Sequence, residues 1–182
     1  AGDREARGAV ELTVAGILLA FLATFGASGE LIFSAMLIND GLSAVLDRVF
    51  LLAALLVTLM SRPYLVRHGA ARGEYFALLL LATIGMMVMG AAMDLITIFL
   101  GLEMLSLCLY VLASFLKRQS ESIEAGFKYF ILGAFASGFL VYGMAFVYGA
   151  LGTTNLATIA ETVRAGAGTT PSTPTLAFGL AL

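Results

Sequence analysis

Between Asp94 and Lys117 the chain reads LITIFLGLEMLSLCLYVLASFL, twenty-two residues of which Glu103 alone is charged. A helix that crosses a hydrocarbon core of roughly 30 Å needs about 20 mostly apolar residues. Runs of that kind recur at 9–28, 42–60, 75–93, 94–116 and 123–151. A further run opens near Thr173, with Pro174 suited to a first helical turn, and stops at Leu182. Sixty per cent of the residues are hydrophobic and 12% charged, against roughly 45–50% and about 25% in soluble domains. No soluble core could bury so much apolar surface. The expected fold is an all-α integral membrane bundle, with five transmembrane helices and the start of a sixth, forming one membrane domain over 1–182.

Other classes fall away quickly. No basic run or finger-like Cys/His pattern points to nucleic acid. The single cysteine, Cys108, excludes a disulfide framework within the chain, and with one histidine, His68, there are too few ligands for a metal site. Residues 1–8 resemble the charged start of a signal peptide, but the run behind them is long and lacks a convincing cleavage site, so it reads as a mature membrane segment. The chain starts without Met and stops inside an apolar run. Both ends are therefore read as cut.

Charge placement supports five crossings. Arg4 and Arg7 precede the first run; Arg62, Arg67 and Arg72 follow the second; Lys117 and Arg118 follow the fourth. The intervening connections carry Glu30, Asp40 and Asp94, and Arg164 is the only base on that side. Seven loop bases against one is the positive-inside pattern, with the N-terminal end cytoplasmic. The expected location is a bacterial inner membrane, in preference to a mitochondrial one.

Asp47, Arg48, Glu103 and Lys128 lie inside the runs. Asp47 and Arg48 lie near the outer end of the second, where snorkelling to the interface explains them; as neighbours they point in different directions. Glu103 lies roughly 13 Å from Asp94 and about 20 Å from Lys117, close to the midplane. An ionised carboxylate there costs about 3 kcal/mol, so it should face the bundle and find a partner, or else be neutral. Ser106, Tyr110 and Ser114 fall within about 60° of it on the helical wheel, a polar stripe able to hold a file of water. On the fifth helix Glu124 and Lys128 stand in the favourable i,i+4 order. Lys128 is either a snorkelling anchor or a second intramembrane charge, separated from Glu103 by only about 5–8 Å in depth and bridged by water. Gly126, Gly133, Ser137 and Gly138 read as small residues for close helix packing.

The stretches FLGLEMLSLCLYVLASF, EAGFKYFILGAFASGFLVYG and YGALGTTNL resemble the antiporter-like subunit N family of respiratory NADH:quinone oxidoreductase, complex I. The likeness runs from Glu74 to Asn155 and holds in order, spacing and wording. Residues 1–73 share only hydropathy and a loose NDGLS helix start. The resemblance implies a fold of two inverted five-helix repeats, with most of the first repeat present here. It implies proton translocation through Glu103 and through Lys128, the lysine of the family's xKYF pattern. A second family lysine, the partner of the glutamate, belongs to the helix after GTTNL, and none appears in TPTLAFGLAL. Ser106, Tyr110, Ser114 and Glu124 are the expected supporting path. No cofactor is expected on this chain; NADH, FMN, iron–sulfur clusters and quinone would belong to the complex as a whole. The expected partners are other membrane subunits, the peripheral redox arm they carry, and lipid. Two rival readings are a subunit of a related cation/proton antiporter or membrane-bound hydrogenase, and a purely structural membrane subunit.

Overall fold

A computed structural model describes residues 2–26, 29–165 and 173–182. Five long helices carry the apolar runs: α1 (Gly2–Ala23), α2 (Gly41–Arg67), α3 (Gly73–Gly90), α4 (Leu95–Ala113) and α5 (Ser120–Leu151). Each is long and apolar enough to cross a membrane. In lipid, where water cannot satisfy the backbone, a helix closes its own hydrogen bonds, which is why these runs fold this way.

The helix ends depart from the hydropathy reading. Arg62 and Arg67, expected in a loop, lie in the last turns of α2, which continues through Pro63. Hydropathy marks where lipid ends, whereas a helix ends where its backbone finds caps. Here the His68 N–H closes on the Tyr64 and Val66 carbonyls. At the other end of α2, Asp40 and Ser43 form a reciprocal capping box, with Ser43 N donating to Asp40 Oδ1 at 2.8 Å and Asp40 N to Ser43 Oγ at 2.9 Å. The Ser43 backbone N–H, helped by its hydroxyl, holds the Asp40 carboxyl below the usual carboxylate range. The long connection expected before Thr173 contains a short helix, α6 (Leu156–Arg164), capped by Asn155 Oδ1 at 3.1 Å from both Ala157 N and Thr158 N. The last run is α7 (Thr173–Ala181), packed on α5 with Phe178 edge-on to Phe146 at 5.1 Å between centroids.

The helices pack in chain order, α1 on both α2 and α3, then α3 on α4 and α4 on α5. Ile17, Leu51 and Ala54 form the core of the first three, sealed by Phe21, Leu55, Leu80 and Met87. The closest helix pair is α3–α4. A Cβ added to Gly85 would stand 2.8 Å from the Gly101 carbonyl oxygen, and one added to Gly101 the same distance from the Gly85 oxygen. Small residues at a crossing let two backbones touch, the usual basis of helix association in lipid.

Asp47 does not snorkel. It falls on the inward row of α2 with Ala44, Leu51, Ala54 and Thr58, and its Oδ1 is buried without a hydrogen-bond partner among the described residues. The row recurs every three or four residues, so the position is set by helical period rather than by side-chain reach. Arg48 turns away from it and closes the end of α1. Its Nε donates to Thr24 Oγ1 at 3.2 Å and its Nη2 to the Thr24 carbonyl at 3.0 Å, with the guanidinium 4.4 Å from the Phe25 ring centroid.

The connections at the Asp94 end form a small extended layer that hydropathy did not reveal. β1 (Glu30–Ile32) pairs antiparallel with β2 (Leu37–Asn39) through a turn in which Phe33, Ser34 and Ala35 all have positive φ. Ile38 N then donates to the Ala91 carbonyl and Met93 N to that of Met36, each at 2.8 Å. This layer fixes the entry to α4.

Candidate functional site

Glu103 lies in the middle of α4, on the side that meets α5. Its Oε1 accepts a short hydrogen bond from Ser137 Oγ of α5. Four residues along α5 from Ser137, Gly133 makes room for Tyr110: a Cβ there would fall on the Tyr110 hydroxyl. Tyr110 is 8% exposed, with its ring edge-on to Tyr129 and Phe130 at 4.9 and 5.7 Å. Nearer the Lys117 end, Gly126 packs against Ser114. Ser114 and Glu103 are eleven residues apart on α4, and their partners Gly126 and Ser137 are eleven apart on α5. The two helices therefore run antiparallel in one constant register.

That register corrects the expected depth of Lys128. Ser137 marks the level of Glu103, and Lys128 lies nine residues before it, about 13 Å along the axis rather than 5–8 Å. Helix ends alone do not give this depth, because the Phe115–Gln119 turn shifts the start of α5 relative to α4. Nine residues also rotate the chain by about 180°, so Lys128 stands on the side of α5 opposite Ser137. Burial agrees: between Ser120 and Gly138 the least exposed residues are Ser122, Gly126, Gly133 and Ser137, and they form one stripe that faces α4. Lys128 Nζ instead lies 2.5 Å from Glu124 Oε1, with the two side chains 68% and 63% exposed.

The stripe of Ser106, Tyr110 and Ser114 lies on Glu103's face, but its members do not form one hydrogen-bonded chain. Ser114 caps α4, with its hydroxyl within 3.2 Å of the Tyr110 and Val111 carbonyls of its own helix. Tyr110 is committed to packing on α5. Ser106 is half-buried and has no hydrogen-bond partner among the described residues.

Two functional-looking groups escaped the sequence reading. Ser137 was counted only as a small packing residue; its link to Glu103 depends on a helix register that no local pattern encodes. Asp94 was read only as a lone loop charge. It is 7% exposed, accepts from Ile96 N at 2.9 Å to cap α4, and accepts from Thr154 Oγ1 at 2.7 Å. Around it Leu95 N donates to the Thr154 carbonyl and Leu156 N to that of Met93. The GTTNL stretch is thus a clasp between the start of α4 and the exit of α5. No group of three metal-ligating side chains occurs among the described residues, and Cys108 is a buried free thiol.

Comparison with known proteins matches residues 92–182 to the family described as NADH:quinone oxidoreductase/Mrp antiporter, TM. NADH-quinone oxidoreductase subunit N of Trichlorobacter lovleyi is 47% identical over 154 residues, 84% of this chain and 32% of that protein. Subunit N 2 of Roseiflexus castenholzii is 50% identical over 131 residues, 72% of this chain and 26% of that protein. A chain of respiratory complex I from Thermus thermophilus, solved with bound aureothin, aligns at a TM-score of 0.72 and 30% identity over 97% of this chain and 38% of its own. A chain of the membrane-bound sulfane sulfur reductase, an archaeal respiratory membrane complex, aligns at 0.76 and 25% identity over 94% and 37%. This chain spans about a third of the length of the curated relatives it matches.

Proposed function

Since the chain belongs to the NADH:quinone oxidoreductase/Mrp antiporter transmembrane family, we propose that it is part of a subunit N that translocates protons in an NADH:quinone oxidoreductase, with Glu103 as the group that takes up and releases the proton. One observation carries this reading. A midplane carboxylate, costly in lipid, is turned to a helix contact and given a hydroxyl partner. A serine hydroxyl donates to a carboxylate and accepts from a carboxylic acid, so this contact survives a change of protonation state. That tolerance suits a relay and is unnecessary for a fixed charge.

Lys128 would be the second titrating group. On the far side of α5 it cannot receive the proton through the Glu103–Ser137 contact, so its exchange runs along the outer face of that helix. Loss of a charged partner makes the ionised form of either group expensive, driving the carboxylate to take a proton and the ammonium to lose one. Moving one charge against 100 mV costs about 2.3 kcal/mol, the scale that such pairing and unpairing must supply. NADH, FMN, iron–sulfur clusters and quinone would be bound by other subunits of the complex, with this chain coupling to them through neighbouring membrane subunits. Its N-terminal end would face the cytoplasm. The 41–50% identities to subunit N proteins favour this reading over a related antiporter-like subunit.

The test is Glu103→Gln in the full-length protein, read as proton pumping in membrane vesicles and normalised to assembled complex. The amide keeps the shape but cannot exchange a proton, so pumping should fall by about tenfold or more, with Glu103→Asp retaining more activity. Normal pumping by an assembled Gln variant would leave Glu103 a packing residue.

A further inference from the structure

Three arginines meet in one cleft where α1 begins and α2 ends. Arg7, Arg62 and Arg67 line it, with Pro63 and Val66 as its apolar wall. Arg62 is half-buried. Arg48 is the one arginine whose guanidinium finds protein hydrogen-bond acceptors among the described residues, and none of the three in the cleft forms an ion pair there. Each guanidinium brings five N–H donors, and among the described side chains no carboxylate lines the cleft to receive them. Three converging cations without an acceptor make a site for an anion.

The depth of the cleft narrows the choice. Thr24 and Arg48 bond to each other at the opposite end of the same two helices. From Thr24 back to Arg7 is about 26 Å of helix, and from Arg48 on to Arg62 about 21 Å. Allowing for side-chain reach, these two polar levels bracket an apolar slab close to the roughly 30 Å of a hydrocarbon core. The cleft therefore stands at head-group depth. One turn inward on the same faces of α2, Leu59 and Met60 are 54% and 74% exposed, whereas on α1 the exposed Glu11 stands one turn inward of Arg7. A cationic cleft that opens along α2 onto bare apolar helix matches a molecule with a phosphate at one end and acyl chains below it.

We propose that the Arg7–Arg62–Arg67 cleft binds the phosphodiester head group of an anionic membrane lipid, with the acyl chains lying against α2. The assembled complex carrying the full-length chain can be tested with a photoactivatable phosphatidylglycerol whose reactive group sits high on an acyl chain, the adducts being mapped by peptide mass spectrometry. Labelling is expected within Leu59–Val66, competed by unlabelled phosphatidylglycerol but by neither phosphatidylcholine nor inorganic phosphate. Arg62→Gln and Arg67→Gln should each lower it roughly fivefold, since a basic side chain near an anionic surface contributes about a factor of that size. Competition by phosphate as strong as by phosphatidylglycerol would make this a free-phosphate site and overturn the lipid assignment. Equal competition by phosphatidylcholine would reduce it to ordinary lipid contact. Absence of labelling in the parent, which a covering protein partner would produce, also overturns the proposal. The competition arms need no variant, so a failure of Arg62→Gln to assemble would not shelter it.

Discussion

The two faces of α5 make opposite use of polar residues. Towards α4 the stripe Gly126, Gly133, Ser137 is closed: a serine backs onto the first, a tyrosine covers the second, and a carboxylate bonds the third. On the far side Glu124 and Lys128, among the described residues, pair with each other alone, beside exposed Phe127, Ile131, Leu132 and Phe135. The contrast shows that charge within a membrane segment says little until the helix register is known. Glu103 has little side-chain length with which to leave the midplane and must be satisfied by a neighbouring helix. Lys128 has reach enough to be satisfied on its own helix or at an interface.

The sharpest way to break the comparison is to add one methyl to each face. At Gly133 a Cβ would occupy the place of the Tyr110 hydroxyl and crowd its ring, so the buried tyrosine must leave its pocket. Overpacking of that kind costs about 1–3 kcal/mol. Gly133→Ala should therefore lower the thermal midpoint and the yield of assembled protein. At Gly138 nothing lies within 4 Å of the added atom, and Gly138→Ala should leave both unchanged or slightly improved, through better helix propensity of up to about 1 kcal/mol. Equal behaviour of the two variants would mean that α5 does not meet α4 in this register.

Next in size is Lys128→Arg. If Lys128 were only an anchor, Arg would keep the pair with Glu124 and reach the interface as well. A relay lysine must give up its proton, which Arg hardly does at all. We expect assembly to be normal and pumping to fall several-fold, since Arg keeps the charge but not the proton exchange. Pumping equal to the parent would make Lys128 an anchor and leave the α4–α5 contact as the only proton-handling region of the two.

The parts legible in the sequence are those set by local composition. Five apolar helices, the mid-helix position of Glu103, and the i,i+4 order of Glu124 and Lys128 needed only length and helical period. The inward side of Asp47 is also legible, since it falls in step with Ala44, Leu51 and Ala54, whereas side-chain reach alone points outward. Asn155 ahead of LATIAETVR was a capping signal, but a nine-residue helix disappears in any window wide enough to detect a span. What was not legible depends on residues distant in the chain: Ser137 with Glu103, Thr154 with Asp94, and the stagger that carries Lys128 away from Glu103. Each is fixed by a tertiary register, and the tight turn between α4 and α5 sets that register through backbone geometry rather than through any pattern of residue types.

The smallest expected effect tests the closed face most directly. Ser137→Ala removes the hydroxyl and leaves the Glu103 carboxyl half-buried with one partner fewer. A net hydrogen bond is worth about 1 kcal/mol, so pumping should slow about fivefold, less than for Glu103→Gln because the exchangeable proton remains. Ser137→Thr keeps the hydroxyl and should restore most of the rate. Loss of packing alone would lower the rate evenly at every pH. Loss of the hydroxyl should instead shift the pH profile of pumping, because the bond it donates to an ionised carboxylate is stronger than the one it accepts from the neutral acid. An unshifted profile in Ser137→Ala, with assembly intact, would return Ser137 to ordinary helix packing and leave Glu103 without a positioning partner on α5.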